Sequence, residues 1–191
     1  MHAMTTVGRP RDPRVDEALR RTVQQLLVAE GYSGLTVQGV ARGAGVSPAT
    51  VYRRFPGKRE LVEWAAFQVT EWVEPPWTGD YGSDLAVLTD VLLAYLAQPA
   101  VRAAVPGLLA EYVHGGSGYL ALLASTITPV RRALRDLHHA AVQRGEAAEG
   151  IDLDALLDVL LGAVLLEAMT RQGDTRLASK RIAEVVRRAT T

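Results

Sequence analysis

Residues 36–55 read TVQGVARGAGVSPATVYRRF, and this stretch decides the fold. It holds two short helix patterns joined by a tight turn. Thr36 is placed to cap the first helix, with Leu35 and Val40 spaced as a hydrophobic staple across its start. Gly43 to Gly45 end it, because a positive φ costs glycine little. The second start repeats the design: Ser47 as N-cap, Pro48 at the first helical position, Val46 and Val51 as the staple. Ala41, Gly45 and Val51 have helix-turn-helix spacing, in which a small residue admits a close crossing, a glycine makes the turn and an aliphatic fills the wedge. With Val46 and Val51 committed inward, Ser47, Ala49, Thr50, Tyr52, Arg53 and Arg54 are left to face outward. Hydroxyls, a phenol and guanidiniums suit phosphate and base-edge contacts. A helical hairpin in an ordinary bundle fits the same pattern, so the charge distribution matters next.

The chain has 191 residues and a formal net charge of zero. That zero hides a division. Residues 1–62 hold ten Lys/Arg and five Asp/Glu, and the remainder holds eleven and sixteen, so the two parts carry +5 and −5. A basic head on an acidic body fits a nucleic-acid contact confined to one end. The chain has no cysteine, which excludes disulfides and thiolate metal sites. No charge-free apolar run reaches the roughly 18 residues of a membrane span, and the N-terminus lacks the apolar stretch of a secretion signal. The expectation is a cytoplasmic protein with no membrane partner.

Outward from the motif, residues 1–11 read as a disordered arm. Arg9, Arg11 and Arg14 would either reach phosphates or the minor groove from it, or form a solvated tail. Asp12-Pro13 is a helix start, and Val15, Ala18, Leu19, Thr22, Leu26 and Ala29 follow helical spacing until Gly31. Pro56-Gly57-Lys58 breaks the second motif helix and opens a fourth, which runs to about residue 73 and couples the two halves. Residues 74–82 are a loop. Helices then follow over about 83–97, 99–113, 119–144, 151–172 and 175–189, with Pro106 a candidate kink and Pro129 a candidate interruption.

The segment from about Val15 to Trp64 resembles the DNA-binding domain of the TetR/AcrR family of bacterial transcriptional regulators. The residues that carry the resemblance are Gly31, Leu35, Thr36 and Val37, then Ala44-Gly45-Val46-Ser47, Thr50-Val51-Tyr52, and Phe55 with Lys58. Pro48 departs from the family, in which a polar or basic residue is common there. The resemblance implies Thr36, Ser47, Tyr52 and Lys58 on phosphates, and Thr50, Arg53 and Ala49 facing bases. Arg53 is the candidate for bidentate pairing with guanine. Arg54 is either a phosphate contact or a solvent-facing charge.

The expected fold is therefore all-α, with about nine helices: a helix-turn-helix domain over residues 12–57, then a ligand-binding and dimerisation bundle over 58–191. Leu153 to Met169 is apolar around nearly its whole circumference and calls for burial on every side. Leu156, Leu160, Gly162, Ala163 and Val164 are accordingly expected in a homodimer interface, as the resemblance also implies. Family members bind small molecules in this half, and Gln68, Trp72, Tyr95, Glu111, Tyr112, His114 and Tyr119 are the candidate lining groups.

Enzymatic readings fail on spacing. Gly115-Gly116-Ser117-Gly118-Tyr119 lacks the second glycine of a nucleophile elbow, and Gly43 to Pro48 does not follow a strand as a dinucleotide loop must. His138 and His139 are adjacent, so they diverge by about 100° on a helix, do not pair on a metal, and are expected at the surface. No cofactor or metal is expected. The expected function is a sequence-specific transcriptional regulator, a repressor released from a palindromic duplex operator by a small-molecule effector of unknown identity. The alternatives are a helical protein-interaction module or a ligand-independent regulator.

Overall fold

The computed structural model describes residues 12–67, 75–115, 118–170 and 175–191, with the side chains of 114–126 outside that description. Among the described residues it is all helix: α1 (Pro13–Gly34), α2 (Val37–Gly43), α3 (Pro48–Tyr52), α4 (Lys58–Ala66), α5 (Tyr81–Leu96), α6 (Pro99–Gly115), α7 (Gly118–Gln143), α8 (Leu153–Thr170) and α9 (Thr175–Arg188). The chain divides into two compact units, Met1–Gln68 and Val69–Thr191. The first takes in α4, where the sequence reading began the second domain at residue 58. The reason is burial: Leu61, Val62, Ala65 and Ala66 of α4 all lie in the interior, and Gln24 of α1 donates to the Ala65 carbonyl at 3.0 Å.

In the first unit, local chemistry sets each boundary. The Asp12 carboxylate accepts from the Arg14 N–H at 3.0 Å and Pro13 fills the first helical position. Leu19, Val23 and Leu27, four apart, form the fully buried stripe of α1. Gly31 breaks the helix with φ +68°, and a further turn follows it. Gly45 makes the α2–α3 turn at φ +68°, with the Val46 N–H returning to the Ala41 carbonyl at 2.9 Å. Gly43 serves a different end: a Cβ there would lie 2.6 Å from Thr22 Cγ2, so α2 approaches α1 where any larger residue would have to displace the Thr22 side chain. The expected continuation of α4 towards residue 73, and its coupling role, fall on 68–74, outside the described residues.

In the second unit the core runs from Tyr81, Leu85, Leu88, Leu92 and Leu93 of α5 to Val130, Leu134 and Leu137 of α7, Leu157, Leu160 and Val164 of α8, and Ile182 and Val186 of α9. α5 starts two residues earlier than its apolar spacing indicates, because Asp80 caps it by accepting from the Ser83 N–H at 2.8 Å. Helix α7 continues through Pro129 without the expected interruption. His138 is not a surface residue: it is buried, with Nδ1 3.0 Å from the Tyr81 hydroxyl, whereas His139 is exposed. Among the described residues no single helix is long and apolar enough to cross a membrane.

The helix that was apolar all round resolves into two faces. Leu156, Leu160 and Val164 belong to the core of their own unit, which corrects their assignment to a dimer interface. Their four-residue spacing forms a single stripe, and α5, α7 and α9 cover it. Gly162 is exposed and Ala163 half-buried on another side, where Val159 and Leu166 are more than half exposed.

Candidate nucleic-acid interface

The outward side of the two-helix motif is built by caps. Thr36 Oγ1 accepts from the Gly39 N–H at 3.0 Å, which ends the extended segment and turns the chain into α2. Ser47 Oγ accepts from the Thr50 N–H at 3.2 Å and lies 3.0 Å from Thr50 Oγ1. That second contact uses one hydroxyl hydrogen, so the pair retains another to donate outward. Thr36, Ser47, Ala49 and Arg53 are exposed, Thr50 is half-buried, and Tyr52 keeps 49% of its surface in solvent. A large aromatic left half-exposed on a five-residue helix has no interior duty, whereas Val51 between them is fully buried. Of the residues that sequence spacing left to face outward, Ser47, Ala49, Tyr52 and Arg53 are on accessible surface and Thr50 is partly so, whereas Arg54 is largely buried.

Lys58, the first residue of α4, extends its ammonium 4.3 Å over the ring centroid of buried Tyr32. That cation–π contact orients the charge at a helix N-terminus that no side chain caps. Arg54 differs from every other candidate. Its side chain is 13% exposed and its guanidinium is paired with the Asp16 carboxylate in the first turn of α1. Of the two roles offered by the sequence, a phosphate contact or a solvent-facing charge, the second does not match that environment. Phe55 packs at a tilt of 44° against Trp64, 4.9 Å between centroids, and the Arg20 guanidinium lies 4.9 Å over the same Trp64 ring. Sequence reasoning missed Asp16, Tyr32 and Trp64 as supports of this surface. The ion pair joins residues 38 apart in the chain, and no local pattern announces it.

Of the candidate ligand residues, Gln68 and Trp72 lie outside the described residues, as do the side chains of His114 and Tyr119. Glu111 is exposed and Tyr112 half-buried. Tyr95 stands apart: its hydroxyl is buried with no hydrogen-bond partner among the described residues, and burial pushes its pKa up to about 12. A cavity of about 200 Å³ is lined instead by Trp77, Asp84, Leu137 and Arg144, and a broad groove of about 820 Å³ runs between α5 and α9. Asp84, buried at the first, is satisfied by the Thr78 N–H at 2.6 Å, the Thr78 hydroxyl at 2.8 Å and the Gly79 N–H at 3.0 Å, so it organises the entry to α5.

Comparison with known proteins bears on both units. Residues 24–65 match the family model described as bacterial regulatory proteins, tetR family, and residues 75–189 match a tetracyclin repressor-like C-terminal domain. An uncharacterised HTH-type transcriptional regulator of Mycobacterium tuberculosis is 34% identical over 162 residues, covering 84% of this chain and 78% of that protein. The HTH-type regulator YdeS of Bacillus subtilis is 24% identical over 163 residues, covering 82% and 79%. Among solved structures, a TetR transcriptional regulator from Agrobacterium tumefaciens superposes with a TM-score of 0.66 at 21% identity, covering 94% and 95% of the two chains. The regulator FadR from Bacillus subtilis, in complex with stearoyl-CoA, gives 0.61 at 16% identity, covering 90% and 97%. At these identities the structures establish the fold.

Proposed function

The chain belongs to the TetR family of bacterial regulatory proteins and is a DNA-binding, helix-turn-helix transcriptional regulator; from that premise we propose that it is a repressor, released from a palindromic operator by a small molecule. The observation that carries the DNA side is the exposed set Ser47, Ala49, Tyr52 and Arg53, with half-buried Thr50 beside them, around a helix whose Val51 is fully buried. Ser47, Thr36, Tyr52 and Lys58 serve phosphates. Arg53 pairs with guanine O6 and N7, and Thr50 and Ala49 lie against neighbouring base edges.

Two copies present two such helices to successive major grooves, about 34–36 Å apart. The second copy covers Val159, Gly162, Ala163 and Leu166 of α8 together with Leu177 and Val185 of α9, all at least partly exposed. Large apolar side chains exposed along two adjacent helices are the mark of a protein interface. Arg181 of α9 donates to Glu167 of α8 at 3.0 Å beside this face and ties the two helices together.

On the effector side, the Tyr95 hydroxyl supports the reading, because among the described residues it has no partner, and a buried donor left so is costly unless an occupant meets it. The ligand is largely apolar with a hydrogen-bond acceptor for that hydroxyl, and it releases the operator by binding the weakly DNA-binding conformer more tightly. Selection of bound sequences from random duplex DNA with the purified chain tests the proposal. It recovers an inverted repeat whose half-sites lie about one helical turn apart. Recovery of no common sequence removes it.

A further inference from the structure

We propose that Arg54 is a positioning residue for DNA reading and not a DNA ligand: its ion pair with Asp16 fixes the orientation of α3 against α1. The inference rests on the DNA-binding reading above. Helix α3 has five residues, and Val51 is the buried one among them. A single buried point sets where so short a helix sits but leaves it free to roll about that point. The two residues that follow its last turn remove that freedom. Arg54, largely buried, reaches the carboxylate of Asp16 on α1. Phe55 packs against Trp64 of α4 at 4.9 Å, and Arg20 of α1 covers the same indole. The exit of α3 is thus tied to α1 by a charge pair and to α4 by an aromatic contact.

The same pair has an electrostatic consequence. A guanidinium paired with a carboxylate is already charge-balanced, so the Arg54–Asp16 pair brings no net cation to the sequence-independent part of binding. Arg53, one residue earlier and exposed, is free to neutralise a phosphate. Two adjacent arginines therefore divide the work: one touches the duplex and the other aims it. Asp16 raises discrimination twice over, by fixing the angle of Arg53 and by withholding a cation that every sequence would attract equally.

The test measures affinity of the full chain for a selected operator and for a random duplex across a salt series. It compares wild type, Arg54→Met, Asp16→Asn and the charge-swapped double variant Asp16→Arg/Arg54→Asp, each shown by circular dichroism to be folded. Arg54→Met is expected to lose about tenfold in operator affinity with the slope of log K against log salt unchanged. Asp16→Asn frees the guanidinium, so its slope steepens by about 0.9 while the operator-to-random ratio falls. The swapped pair restores the ratio. If Arg54→Met instead makes the slope shallower by about 0.9, Arg54 is a phosphate ligand and the inference is overturned. It is equally overturned if the swap restores nothing. Should wild type fail to prefer any selected duplex, it is the DNA-binding reading that fails and takes this one with it.

Discussion

Arg53 and Arg54 are adjacent and chemically identical, yet the fold gives one to solvent and the other to Asp16. Their outward direction was legible in the sequence for Arg53 and illegible for Arg54, because nothing in RRF signals a carboxylate 38 residues earlier. His138 makes the same point in the second unit. A histidine pair on a polar-looking stretch reads as surface, and only the packed helices reveal that one of the two is buried on the Tyr81 hydroxyl. Arg53→Ala should cost about 1–3 kcal/mol of operator affinity and relax the preference at one base pair. Titration against operators carrying each single-base change checks this. An unchanged preference profile takes Arg53 out of the readout.

Helix boundaries in the first unit were legible because they are local. Asp12, Thr36 and Ser47 each accept a backbone N–H at the start of a helix, and Gly31 and Gly45 carry positive φ where chain direction changes. Such features need no tertiary knowledge. Gly43 read as part of the helix end, yet its close approach to Thr22 makes it a packing residue. Gly43→Ala should therefore destabilise the first unit by about 1–3 kcal/mol, the clash with Thr22 outweighing the propensity gain of up to about 1 kcal/mol. Denaturant melts of the variant decide the sign. Apolar residues around all of α8 told the sequence that burial was needed on more than one side. They could not say which side meets its own unit. Periodicity carries no label for the partner, and Leu156, Leu160 and Val164 were assigned to the wrong one.

At the level of the whole molecule, charge separation and the motif pointed to a basic DNA-binding head and an acidic body, and the two compact units and both family matches agree with a two-part chain. The expected ligand residues are spread over several helices, and whether they meet depends on tertiary packing that no local pattern encodes. For the second copy, two leucines of α8 now separate folding from assembly. Leu160→Arg places an unpaired charge in a fully buried site and should unfold the second unit, with a loss above about 3 kcal/mol. Leu166→Arg lies on the exposed face and should leave stability within about 0.5 kcal/mol while sedimentation shows monomers that bind operator weakly. A Leu166→Arg dimer of wild-type stability would move the interface elsewhere.

The central claim is that the exposed side of α3 reads a duplex. Equilibrium binding of the wild-type chain to its selected operator and to a shuffled duplex of equal composition, over a salt series, tests it most directly. A regulator of this design prefers the operator by about 10³-fold or more and loses affinity steeply as salt rises. Equal affinity for the two duplexes, or affinity indifferent to salt, would contradict it.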